Sequence, residues 1–292
     1  MTGSRSATPV PDQTRMGAVH LVVCDLERSV AFWTIAIGLR VHAQEAGIAQ
    51  LGAGGEDLVV LEEIRGAPQA GRHTGLFHVA LLVPDVRDLA TWLVHAARER
   101  VALTGLSDHR VSEALYLNDP DGHGIEIYRD RPRDTWGVDD DEIEMVSIPL
   151  DTDRLLATLG EGDVMQTPFG GMAGGTTVGH VHLRVAGIPE AEAFYRDVLG
   201  FDLMLEFGDQ AAFLAAGRYH HHIGANTWNS LGAEPAPAGT ATLRHATIVF
   251  PDVASRDAAV ARVPAAGQEP QTREDGVLVR DPSQNGLLLT SA

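Results

Sequence analysis

The sequence predicts an α+β fold made of four βαβββ modules, paired into two tandem domains. Two observations carry this: the chain repeats itself, and each repeat runs twice through the same order of strand, helix and short strands. GAVHLVVCDLERSVAFWTIAIGL from Gly17 matches GHVHLRVAGIPEAEAFYRDVLGF from Gly179 at an offset of 162. LFHVALLVPDV from Leu76 matches LRHATIVFPDV from Leu243 at an offset of 167. NDPDGHGIEIY from Asn118 then meets RDPSQNGLLLT from Arg280, again at 162. The halves are residues 16–132 and 176–292, joined by a connection over 133–175.

Within each half the elements follow in order. Apolar strands begin near residues 17, 76, 179 and 242, and helical patterns follow over 27–37, 86–99, 189–199 and 253–262. Gly38 and Gly200 stand where C-caps would end two of these helices. Short strand-like runs come next, AQLGAG and DLVVLEE in the first module, EALYLND and GIEIYR in the second. The third module has AAFLAAG and HHHIGAN, the fourth GVLVRD and LLLTSA. The Asp-Pro-Asp-Gly stretch from Asp119 is a chain-reversing turn. The polar start, residues 1–15, reads as a disordered leader, and the acidic run Asp139 to Glu142 as a solvated face.

Composition narrows the function. A formal charge of -18 argues against nucleic acid and anionic membranes. No run approaches the about 18 consecutive apolar residues of a membrane span. One cysteine, Cys24, permits no internal disulfide and suits a reducing cytoplasm.

The chemistry gathers on strands. His20 and His78 each interrupt an apolar strand, and Glu126 lies two residues into another. With period-two alternation, each polar side chain points opposite to its apolar neighbours. Two imidazoles and a carboxylate are the ligand set of a non-haem iron(II) site that activates oxygen. A buried glutamate is costly alone, and a divalent cation offers it a partner. The second half keeps His182 and His245 but has Leu288, Leu278 and Gln271 where the first has Glu126, Tyr116 and His109. It reads as a degenerate domain. One of His220, His221 and His222 joining His182 and His245 would make a second, three-histidine site.

At His109, Tyr116 and Glu126 the chain resembles the vicinal-oxygen-chelate superfamily, which includes glyoxalases, bleomycin resistance proteins and extradiol dioxygenases. The run H-x5-L-Y-x2-D-P-x-G-x3-E from His109 to Glu126 looks like the extradiol signature. Ser107, two residues before the histidine, departs from it. Across roughly residues 16–290 the chain looks most like two-domain bacterial catechol 2,3-dioxygenases. The resemblance implies extradiol cleavage of a catechol-type diol with dioxygen, in the catabolism of aromatic hydrocarbons. It implies Fe(2+), with Mn(2+) as the other cation, held by His20, His78 and Glu126. His109 would be the acid–base residue, and Tyr116 would hydrogen-bond a substrate oxygen. The full set then lies in the first domain, whereas the best-known two-domain enzymes use the second. The alternatives on this fold are a glyoxalase-type isomerase or thiol transferase, or a metal-free binding protein. Isomerases of that kind take a fourth ligand from the last strand of the partner module. Exposed sheet edges leave a homo-oligomer open.

Overall fold

The computed structural model describes residues 8–139, 142–162 and 164–292. Asp140 and Asp141 of the acidic run, and the first seven residues of the leader, lie outside them. In the rest of the leader most residues are exposed, but two are held in the fold, Val10 and Thr14. Val10 is buried in the core, and its N–H donates to Gly200 O at 3.0 Å.

The four modules form as the repeats indicate. The first has β1 (Arg15–Val23), α1 (Leu26–Phe32), β2 (Arg40–Glu45), β3 (Ile48–Gly52) and β4 (Asp57–Glu63). The second has β5 (Gly75–Leu82), α2 (Val86–Arg98), β6 (Leu103–Asp108), β7 (Ser112–Asn118) and β8 (Gly124–Asp130). The connection holds β9 (Val138–Asp139), β10 (Glu142–Ile143), β11 (Ile148–Pro149) and α3 (Thr152–Ala157). The third module has β12 (Thr177–Arg184), α4 (Ile188–Ala193), β13 (Asp202–Phe207), β14 (Ala211–Ala215) and β15 (Ile223–Asn226). The fourth has β16 (Leu243–Phe250), α5 (Val253–Val260), β17 (Gln271–Arg273), β18 (Gly276–Arg280) and β19 (Gly286–Ser291).

Local chemistry explains the boundaries. Asp25, Asp85 and Asp252 accept backbone N–H groups at the starts of α1, α2 and α5. α1 and α4 each run on through a π-helical turn and stop at Gly38 and Gly200, whose φ angles of 92° and 100° suit glycine. The Asp-Pro turns are part of the fold in both halves: Asp119 Oδ1 accepts from Asp121 N and His123 N, and Asp281 Oδ1 accepts from Asn285 N. The helices cover the outer faces of the sheets. Trp92 Nε1, fully buried on α2, donates to Ile37 O and ties the first two modules together.

The strand pairing does not follow the halves. One sheet runs β17-β18-β19-β16-β1-β4-β3-β2, joining the fourth module to the first. The other runs β11-β6-β7-β8-β5-β12-β15-β14-β13, joining the second module to the third. The joints are antiparallel pairs of first strands, β1 with β16 and β5 with β12. The sequence halves mark the repeat, whereas the hydrogen-bonded sheets are built across it. Residues 16–132 therefore do not enclose a sheet of their own.

Candidate metal centre

The site is on the inner face of the second sheet. Across β7, β8, β5 and β12, Tyr116 is paired with Glu126, Glu126 with Ala80, and Ala80 with His180. Cross-strand partners share a face, so these four side chains form a row. Ala80 is only a methyl group, which lets Glu126 and His180 reach each other across it. The next row contains Gly124, His78, His182 and Gly224. Neither glycine can be enlarged in place: a Cβ would be 2.0 Å from Phe77 O at Gly124 and 2.9 Å from the His182 ring at Gly224.

Three donors converge here. Glu126 Oε2 is 3.0 Å from His78 Nε2 and 3.1 Å from His180 Nε2, and the two nitrogens are 3.3 Å apart. Donors about 2.1 Å from one cation, on mutually perpendicular bonds, lie about 3.0 Å apart. The observed triangle therefore fits one face of an octahedral ion. All three residues are buried. Burial raises the Glu126 pKa, but the imidazoles of His180 and His78 outweigh it and hold the carboxyl well below the usual range. Burial takes His180 down to about 4 against the pull of Glu126, so its ring is neutral at pH 7, the form a metal ion would require.

Of the residues expected from sequence, His78 and Glu126 meet here and His20 does not. His20 is on β1 in the other sheet, where its Nε2 faces Glu62 at 3.2 Å and its ring packs on His245 at 5.0 Å. The reason is register within the strand. Counted back from the helix N-caps Asp85, Gly187 and Asp252, residues His78, His180 and His245 each stand at the seventh position. His20 and His182 stand at the fifth before Asp25 and Gly187, and that place in β5 is Ala80. The candidate ligand that the sequence reading missed is thus His180. Its signal was the His-x-His spacing in GHVHLRV, which puts two imidazoles on one face of a strand.

The second three-histidine site does not form. His182 is in this sheet and His245 in the other. His220 bonds Asp130 Oδ1 at 2.9 Å and His221 at 2.8 Å, and His222 Nδ1 accepts from Ala216 N. Among the described residues, His78, Glu126 and His180 are the cluster suited to a metal ion.

His109 and Tyr116 line the same cavity, of about 620 Å³. His109 Nδ1 donates to Val146 O at 2.6 Å, which leaves Nε2 to accept from the Tyr116 hydroxyl at 2.8 Å. Val146 belongs to the connection, which closes one wall with Met145 and Ser147. Burial, with the charge of Glu126, raises the Tyr116 phenol well above its usual range and keeps it protonated. Phe77 is in the wall of this cavity, while Trp33 is buried in the core.

The family model for the glyoxalase/bleomycin resistance protein/dioxygenase superfamily matches residues 15–127 and 177–289. The chain belongs to that superfamily. It is 39% identical over 280 residues, 94% of its length and 96% of the relative's, to the catechol-2,3-dioxygenase of Bacillus subtilis (strain 168). That relative bears out the expected enzyme class, a dioxygenase. Among solved structures, glyoxalase I from Zea mays has a TM-score of 0.59 at 17% identity, covering 95% of this chain and 92% of that one. The cppA protein from Streptococcus pneumoniae TIGR4 has 0.54 at 12%, covering 95% and 99%. At such identities these two speak for the fold alone.

Proposed function

We propose that this protein carries out extradiol ring cleavage of a catechol-type diol, with iron(II) held by His78, His180 and Glu126. The observation that carries the reading is the three-donor triangle with the His109–Tyr116 pair in the same cavity. Bound there, iron(II) would acidify a chelated diol hydroxyl and mediate electron transfer from the ring to dioxygen. His109, held in the Nδ1–H tautomer by Val146 O, takes the hydroxyl proton at Nε2 and later returns it. Tyr116, kept protonated, donates a hydrogen bond to a ring oxygen as negative charge grows there. Both atoms of dioxygen end in the ring-opened hydroxymuconic semialdehyde, so no external reductant is needed.

A specific observation weighs against the isomerase reading. In register, the counterparts of Glu126 in the other three modules are Val60, Gly224 and Leu288. The last strand of the module facing this site is β15, and Gly224 at that position offers no fourth ligand. Three positions of an octahedral ion stay open, as a chelating diol and dioxygen require. The test is anaerobic reconstitution with iron(II) or manganese(II), metal analysis, and aerobic turnover of catechol to a yellow product. No product with either metal would overturn the proposal.

A further inference from the structure

The cavity holds an unpaired cation that the ring-cleavage chemistry does not use. Arg184 is on β12, four residues beyond His180, and lines this cavity beside Phe77 and Trp228 as well as a smaller one, of about 150 Å³, that includes Gly71. Its Nη1 donates to Gly71 O at 3.0 Å, its guanidinium carbon is 5.8 Å from the centre of the Phe77 ring, and its buried Nε has no partner. Among the described residues no carboxylate pairs with it. That is notable in a chain with 40 acidic and 22 basic residues, where Arg129 on β8 and Arg131 just beyond it both pair with Glu113. Burial lowers its pKa and nothing nearby offsets this, so the protein bears an uncompensated desolvation cost at this point.

A second polar atom faces the same region. His182 is 3% exposed, its Nε2 has no hydrogen-bond partner, and its ring is 5.3 Å from Phe77 and 5.4 Å from Trp228. An orphaned guanidinium N–H and an orphaned imidazole nitrogen beside an aromatic wall, in a cavity much larger than a bare diol ring, suit an occupant with a polar, acceptor-bearing far end.

We propose that the substrate is a catechol carrying a carboxylate on a short arm, and that Arg184 is the specificity-determining residue that binds this carboxylate. The proposal rests on the ring-cleavage reading. At about 3.3 Å per residue, the Cα atoms of His180 and Arg184 are about 13 Å apart. That span suits an arm of several atoms better than a carboxylate attached directly to the ring. Phe77 and Trp228 would flank the arm, and the guanidinium would offer a two-pronged contact to the carboxylate.

The test compares 3-(3,4-dihydroxyphenyl)propanoate with its primary amide, a neutral isostere. Binding is measured anaerobically by calorimetry for wild type and Arg184→Gln, and kcat/KM is measured in air for both. Wild type is expected to favour the carboxylate by about tenfold or more. In Arg184→Gln the ratio falls to near one, and Arg184→Lys recovers part of it. The ratio cancels any general loss from misfolding. A wild-type ratio near one, or one that survives Arg184→Gln, overturns the proposal. Discrimination in binding without turnover of any diol supports the carboxylate subsite and defeats the ring-cleavage reading instead. Turnover of catechol without discrimination does the reverse.

Discussion

Replacing His180 should release the metal, and replacing His20 should not. His180 Nε2 is 3.1 Å from Glu126 Oε2 and 3.3 Å from His78 Nε2, so His180→Ala leaves two donors of three. Loss of a residue that merely supports a ligand costs about 10–100-fold in metal affinity. Loss of the ligand itself should exceed about 100-fold. His20 has Glu62 and His245 for neighbours in the other sheet, so His20→Ala should leave iron affinity within about twofold. The assay is iron content after anaerobic reconstitution and challenge with a graded chelator series. Far-ultraviolet circular dichroism of the metal-free proteins identifies any variant that fails to fold. If His20→Ala lost iron while His180→Ala kept it, the register argument from the N-caps would be refuted.

Three further outcomes follow from the same geometry. Ala80→Leu should push Glu126 and His180 apart, lowering iron retention at a stability cost of about 1–3 kcal/mol, read by metal analysis and thermal unfolding. His109→Ala should retain iron and lose about 10²–10⁴-fold in kcat, with Tyr116→Phe also retaining iron and losing turnover; full activity in either would remove that residue from the chemistry. Glu62→Gln should cost less than about 1 kcal/mol at pH 7. Its hydrogen bonds to Arg244 lower the Glu62 pKa, so this stabilisation is present above the ordinary carboxyl range and fades as pH falls through the lowered value. Melting temperatures of both proteins should therefore converge in acid, and a gap that widened there would contradict the assignment.

Much of this was legible because it is local. The glycines ending α1 and α4 act over a few residues. So does the run from His109 to Glu126, in which Tyr116 and Glu126 face each other across one hairpin. His180 escaped because the repeats were aligned on their apolar residues, which matched His20 to His182 and passed over the histidine two positions earlier. An N-cap is a sharper landmark than an apolar run, since shifting a strand by two residues keeps every side chain on its face. The partnership of sheets was out of reach for a different reason. All four first strands are alike, and nothing in their alternation states whether β5 pairs with β1 or with β12.

The cross-half pairing explains why one centre exists where the repeat could supply two. A complete centre needs the seventh-position histidine from both partners and a carboxylate from one last strand. The second and third modules meet this with His78, His180 and Glu126. In the first and fourth, His245 holds the seventh position on β16 but Ala18 holds it on β1, and Val60 and Leu288 replace the carboxylate. Glu62 there, the acid that faces His20, is bound to Arg244 at 2.8 Å and so already has a cation. The metal cup is therefore closed by both halves of the chain: His78 and Glu126 come from the first, and His180 from the second. The wall carrying Val146 comes from the connection between them. Pairing across the halves therefore draws the candidate centre from both repeats, and neither repeat by itself carries all three donors.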